Sequence, residues 1–185
     1  KIWNGEILVL PKNLHIWATM NTSDQSLFPI DSAFKRRWKW KYIKISDAGK
    51  MWQIKFENEI IKDENGNEEI FTQDWWAFLQ KVNSIINNIT DSADKQLGYF
   101  FCQADHGIID AETFVSKVIF YLWSDVFKDY GFDDPKLFGY KTENSEETKM
   151  LSFPDFYDDY GTVNEHIAAQ FIKNVMSWKT SNNKE

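Results

Sequence analysis

A single cysteine among 185 residues removes several classes of chemistry at once. Cys102 has no partner for an internal disulfide, and the chain offers no CxxC pair for zinc, so a reducing, cytoplasmic setting is expected. Histidines number only three. His15, His106 and His166 are scattered without HExxH or similar metal spacing, and they read as ordinary surface or core residues rather than ligands. No Ser-His-Asp or Cys-His arrangement is suggested, because Cys102 sits between aromatic and polar neighbours without a placed base. No apolar run reaches membrane-spanning length, and the opening Lys-Ile-Trp-Asn-Gly-Glu lacks a charged-then-apolar signal pattern, so no membrane partner is expected. An initiating Met is also missing. With an apolar stretch so close to Lys1, the chain is expected to be a piece of a longer protein.

Aromatic residues, by contrast, are plentiful: nine Trp, fifteen Phe and seven Tyr supply a large apolar payload, enough for a well-buried core. The formal charge of -7 argues against an overall nucleic-acid coat, which requires clustered Lys and Arg. Charge is nevertheless segregated. Lys35, Arg36, Arg37, Lys39, Lys41 and Lys44 form a run with no acid among them, whereas acids dominate from Asp133 to Glu165.

Two apolar runs open the chain, Glu6 to Leu10 and Leu14 to Met20. The second is nearly continuous, which suits a strand covered on both faces in a parallel sheet. In such sheets ligands gather outside the carboxyl ends of the strands, where Asn21, Thr22 and Asp24 would stand. Pro29 lies near the start of a short helix running to Trp38, with Asp31 in its first turn. Lys39 to Ile45 alternates and predicts a strand with one basic and one apolar face. Met51 to Phe56 predicts another, and Asp63-Glu-Asn-Gly-Asn67 a hairpin turn leading into Glu69-Ile-Phe71, together a small excursion before the helices. Thr72 is the expected cap of a helix carrying Trp75, Trp76, Phe78, Leu79, Val82, Ile85, Ile86 and Ile89. Asp110 is expected to cap a longer helix, apolar nearly all round from Phe114 to Tyr130 and ended by Gly131. After an acidic, aromatic connection, Thr162-Val-Asn-Glu165 reads as a capping box for a last helix to about Trp178.

The stretch from Trp17 to Trp38 carries the chemistry. An Asn at a strand end can hold the water that attacks a terminal phosphate, and an Arg from a neighbouring subunit can stabilise charge in a loose phosphoryl transition state. Polar residues at a strand end also make plain turns and caps. The chain has no GxxxxGK(S/T) loop and no apolar strand closing in paired acids, so nothing upstream can cradle the phosphates.

The string Met20-Asn-Thr-Ser-Asp-Gln-Ser26, followed by Asp31-Ser-Ala-Phe-Lys-Arg-Arg-Trp38, resembles the sensor-1 strand and arginine-finger region of AAA+ NTPases of the McrB type, the motor subunits of modification-dependent restriction systems. That family shows MNTADRS and then D-x-A-(L/F)-(R/K)-R-(R/K)-(F/W). The resemblance places Asn21 on the sensor-1 asparagine, Asp24 on the following acid, and Arg36 and Arg37 on the arginines offered to the next subunit's nucleotide. Gln25 departs from the family's Arg, which leaves ATP and GTP both open.

The implied fold is α+β and mainly helical: the last strands of an AAA+ α/β core over residues 1–46, a β-hairpin excursion over 47–71, a small helical lid over 72–180 and a disordered tail over 181–185. Within the lid, Asp94-Lys-Gln-Leu-Gly98 resembles the family's glycine-aromatic stretch, with Lys95 the candidate sensor-2 residue and Gly98 beside it. The same resemblance implies ATP or GTP with Mg in the full-length parent and none bound to this piece, which is expected to be inactive alone. It implies a ring, a hexamer in the expectation, serving a nuclease subunit and reaching DNA through the parent assembly.

Rival readings stay open. Within the AAA+ class, a chaperone-like remodeller of proteins shares these motifs. A nucleic-acid-binding module would use Lys39, Lys41 and Lys44 with Trp38, Trp40 and Tyr42, although lysines on an edge strand also simply block sheet-to-sheet aggregation. An interaction domain would use the loop from Phe153 to Tyr160, whose Asp155, Asp158 and Asp159 read as solvated or partner-docking residues rather than a calcium loop.

Overall fold

A computed structural model describes residues 4–5, 9–19, 31–91, 93–128, 135–141 and 148–179. The chain divides into two compact units, Lys1–Lys39 and Trp40–Glu185.

Among the described residues of the first unit the regular element is α1 (Ser32–Lys35). Asp31 caps it, its carboxylate accepting the Phe34 N–H at 2.6 Å. The turn carries on through Arg37 N–H to the Phe34 carbonyl at 3.0 Å, and Phe34 and Trp38, one helical turn apart, bring their rings to 5.7 Å. Residues 9–19 contain no strand among the described residues, and Leu14, Ile16 and Trp17 are exposed. This corrects the expected covered strand over Leu14 to Met20 as far as Ala18 and Thr19. A continuous apolar run becomes a buried strand only where neighbouring strands accept its ladder, and this unit supplies none among the described residues.

The second unit is built on a hairpin of β1 (Gln53–Lys62) and β2 (Glu68–Asp74), with β3 (Ile108–Ile109) parallel to β1 on its other side. The turn is the expected one. Asp63 accepts from the Asn65 N–H, the Asn67 N–H and the Asn67 amide at 2.7 to 2.9 Å, which holds its carboxyl below the ordinary value, and Gly66 takes the φ of +85° that the turn requires. The hairpin is no excursion. Ile54, Phe56 and Phe71 are buried in the common core, with Phe56 and Phe71 stacked at 5.3 Å. Residues 39–48 form no strand, correcting the one expected over Lys39 to Ile45; among the described residues its alternation meets no neighbour that pairs with it.

Helix α2 (Trp75–Thr90) buries Trp75, Phe78, Leu79, Val82, Ile85 and Ile86, the spacing of three and four that turns one stripe to the core. Its cap is Asp74, accepting the Ala77 N–H at 2.7 Å, and not Thr72, which belongs to the β2 ladder opposite Lys55. Asp110 caps the next rod as expected, with the Thr113 N–H at 2.7 Å. That rod starts as α3 (Ala111–Thr113) and widens into π-helical turns at Phe114–Ile119 and Leu122–Phe127. Phe114, Val115, Val118, Ile119, Leu122 and Val126 are all fully buried, while Ser116, Lys117, Phe120 and Asp125 are exposed, so the rod turns one face to the core and another to solvent instead of the all-round burial its composition predicts. Its expected end at Gly131 lies outside the described residues.

A short helix α4 (Pro135–Phe138) runs into β4 (Gly139–Tyr140), which pairs antiparallel with β5 (Lys149–Met150). Helix α5 (Glu165–Ser177) closes the unit, and its Ala168 and Ala169, both fully buried, allow close packing. Asn164 caps it, accepting the Ile167 N–H, in place of the expected Thr162; the Thr162 N–H instead closes a turn onto Asp158 at 2.8 Å. The Asn174 amide donates to the carbonyls of Leu137 and Gly139, tying α5 to α4 and β4.

Candidate functional site

The residues proposed to act on phosphate fall into two groups. In the first unit, the Asp31 cap fixes where α1 begins and therefore where its last turn delivers Lys35, Arg36 and Arg37. Both arginines are exposed. With no acid from Lys35 to Lys44, the field at this end of α1 is that of adjacent fixed cations, suited to an anion brought from outside. Asn21 and Asp24, with Gln25, lie outside the described residues.

The second group, Lys95 and Gly98, belongs to the second unit and is held by the buried face of α2. Asn83 uses both ends of its amide on Leu97, donating to its carbonyl at 2.8 Å and accepting its N–H at 2.7 Å. One α2 turn pair earlier, the Trp75 indole N–H donates to the Tyr99 carbonyl at 2.8 Å. These buried bonds pin 97–99 to the helix, which is what gives Lys95 a defined place. Its ammonium donates to the Asp125 carbonyl at 2.7 Å, and the Tyr121 hydroxyl, its pKa raised by burial, donates to the Lys95 carbonyl at 3.1 Å. Gly98 has ordinary extended backbone at φ -78°, and a Cβ built on it meets nothing within 4 Å.

The other candidates are engaged locally. Asp155 accepts from Lys149 at 2.6 Å and from the Ser152 hydroxyl and N–H, partners that lower its carboxyl to about 2. Asp158 accepts from the N–H groups of Tyr160 and Thr162. Among the described residues no group of three or more His, Cys, Asp or Glu side chains is arranged to hold a metal ion. Burial pushes the Cys102 thiol up to about 11, so it stays protonated and unreactive. No helix among the described residues is long and apolar enough to cross a membrane.

One polar joint escapes sequence reading. The β1 ladder shifts register between Phe56 and Ile60, and this bulge aims two polar side chains at the first turn of α5. Asn58 donates from its N–H and its amide to Glu165 at 2.7 and 2.9 Å, and the His166 Nδ1 lies 3.1 Å from the buried Glu59 carboxylate. The sequence signal was the adjacent pair Ile60-Ile61, which a strict period of two cannot place on one face. Beside this joint lies a cleft of about 480 Å³, lined in part by Lys55, Glu57, Asp110, Glu112 and Tyr157.

No family model matches the chain, and no solved structure matches it. Among curated proteins it is 32% identical over 126 residues to the Type II restriction enzyme BsuMI component YdiS of Bacillus subtilis (strain 168). The match takes in 66% of this chain but 34% of the relative, so the chain spans about a third of that protein's length.

Proposed function

We propose that this chain is the C-terminal part of an AAA+ NTPase subunit that assembles into a ring, a hexamer in the simplest case, and drives a DNA restriction system of the modification-dependent kind together with a nuclease subunit. The observation that carries the reading is the string from Met20 to Trp38, which joins a sensor-1 asparagine to paired arginines across one short helix. Similarity to a restriction-enzyme component supports the restriction setting, and the exposed apolar residues of the first unit are consistent with a segment that packs against further core.

In this reading Asn21 orients the attacking water at the subunit's own nucleotide, and Asp24 is the acid that follows it in the motif. Arg36 or Arg37 neutralises charge developing on the γ-phosphoryl bound by the neighbour. Such an arginine contributes about 10³ to 10⁵ in kcat, because phosphoryl transfer depends on positioning and electrostatics more than on covalent help. Lys95 and Gly98 would face the nucleotide from the lid side. To reach a phosphate, Lys95 must give up its bond to the Asp125 carbonyl, a net cost of about 1 to 3 kcal/mol that a phosphate contact can offset. ATP or GTP with Mg serves as substrate, its metal held by groups outside these 185 residues.

The test is made in the parent protein. Arg36→Ala and Arg37→Ala, singly and together, are expected to lower NTP turnover by about 10³-fold while nucleotide binding stays within a few-fold. If the double variant keeps full turnover, the arginine-finger assignment is wrong. The 185-residue chain alone, given ATP or GTP with Mg, is expected to show no hydrolysis.

A further inference from the structure

The segment from Trp40 to Lys50 starts the second unit without helix or strand, and its aromatic side chains are each more than half exposed. Tyr42 is 80% exposed, Ile43 78% and Trp40 53%. Lys41, Lys44 and Lys50 are exposed alongside them. The sole acid of the stretch, Asp47, is turned back onto the Gly49 N–H at 2.8 Å. The bland explanation for such lysines, protection of a sheet edge, requires a strand here, and the structure places none over 39–48.

We infer that residues 40–50 form a strap that binds single-stranded DNA, with Lys41, Lys44 and Lys50 meeting phosphates and Trp40 and Tyr42 stacking on bases. Interleaved cations and aromatic rings match the two repeating features of a single strand, an anion per nucleotide and an uncovered base face. A duplex offers the anions but hides the base faces. The chain's overall charge is -7, so attraction has to be local and strongly salt-dependent. The site goes beyond the motor reading, since the strap itself touches the strand; the choice of DNA over RNA rests on the restriction setting proposed above.

Fluorescence anisotropy of the full chain with labelled oligodeoxythymidine tests it. Three phosphate contacts predict a slope of log K against log salt near -2, about a twentyfold loss of affinity from 50 to 200 mM. Replacing Lys41, Lys44 and Lys50 together by Gln should flatten that slope, whereas the triple Arg variant should keep it. Tyr42→Ala should cost roughly tenfold, the effect of one lost stack. Circular dichroism and an unchanged denaturation midpoint show that the variants remain folded. Equal binding of duplex, tighter binding of oligouridine, or binding indifferent to the triple Gln change would overturn the inference. None of these outcomes bears on the arginines, whose test is turnover in the parent.

Discussion

Trp17 and Trp75 are the same residue in opposite circumstances. Trp17 is 91% exposed in a stretch where Leu14 and Ile16 are exposed as well, while Trp75 is fully buried against Phe78, its indole N–H spent on the Tyr99 carbonyl. The first unit carries the residues proposed above for phosphate chemistry, and of these the described Arg36 and Arg37 are exposed. The second buries a continuous apolar core and closes its polar joints internally, with no buried side-chain nitrogen or oxygen left unpaired among the described residues. The contrast teaches where self-sufficiency lies. Among the described residues the second unit buries its apolar residues against one another, whereas the first leaves Leu14, Ile16 and Trp17 exposed, which suits the half-sites proposed for it.

The sharpest way to break that contrast is to cut one aromatic from each side. Phe78→Ala removes a fully buried ring that meets Phe114 edge-on at 5.3 Å, and should cost about 3 to 5 kcal/mol in denaturant unfolding. Trp17→Ala should change stability by no more than about 0.5 kcal/mol. Equal costs would mean that the first unit has a core of its own.

Next in size is Asn83→Ala. It strands the buried N–H and carbonyl of Leu97, and should cost about 2 to 4 kcal/mol while loosening the attachment of Lys95. Hydrogen exchange at the Leu97 amide checks it directly. Unchanged protection would show that another group holds that turn.

The smallest effect concerns Asp155, whose carboxyl is depressed to about 2 by Lys149 and Ser152. Its folded value lies below the unfolded 3.8, so its contribution is present above about pH 4 and disappears as pH falls through 2. Asp155→Asn should therefore narrow the stability difference between pH 5 and pH 2, modestly because the Lys149 side is exposed. A difference of unaltered size would place the acid sensitivity elsewhere.

Local codes were legible and long-range ones were not. The helix of Trp75 to Thr90, the rod capped by Asp110 and the Asp63 turn follow from spacing and turn chemistry within a few residues. Caps were misplaced by two residues where candidates competed: Thr72 sits in a ladder and Thr162 in a turn, leaving Asp74 and Asn164 to cap. The hairpin's central role depends on β3, two residues whose pairing with Gln53 and Ile54 no local pattern announces. The joint of Asn58 and Glu59 with Glu165 and His166 spans 107 residues and needs a bulge to exist. Of the site residues, Arg36 and Arg37 are visible by motif, and the tether of Lys95 to Asp125 is visible only in three dimensions.

The central claim is that Asn21 and the arginine pair serve different nucleotides in neighbouring subunits, and complementation in the parent protein tests it most directly. An Asn21→Ala subunit and an Arg36→Ala/Arg37→Ala subunit should each be nearly inactive alone while still binding nucleotide. Mixed together, they should recover turnover, because some interfaces then pair an intact Asn21 with the neighbour's intact arginines. A mixture that forms rings, binds nucleotide and stays as inactive as either variant alone would contradict the account.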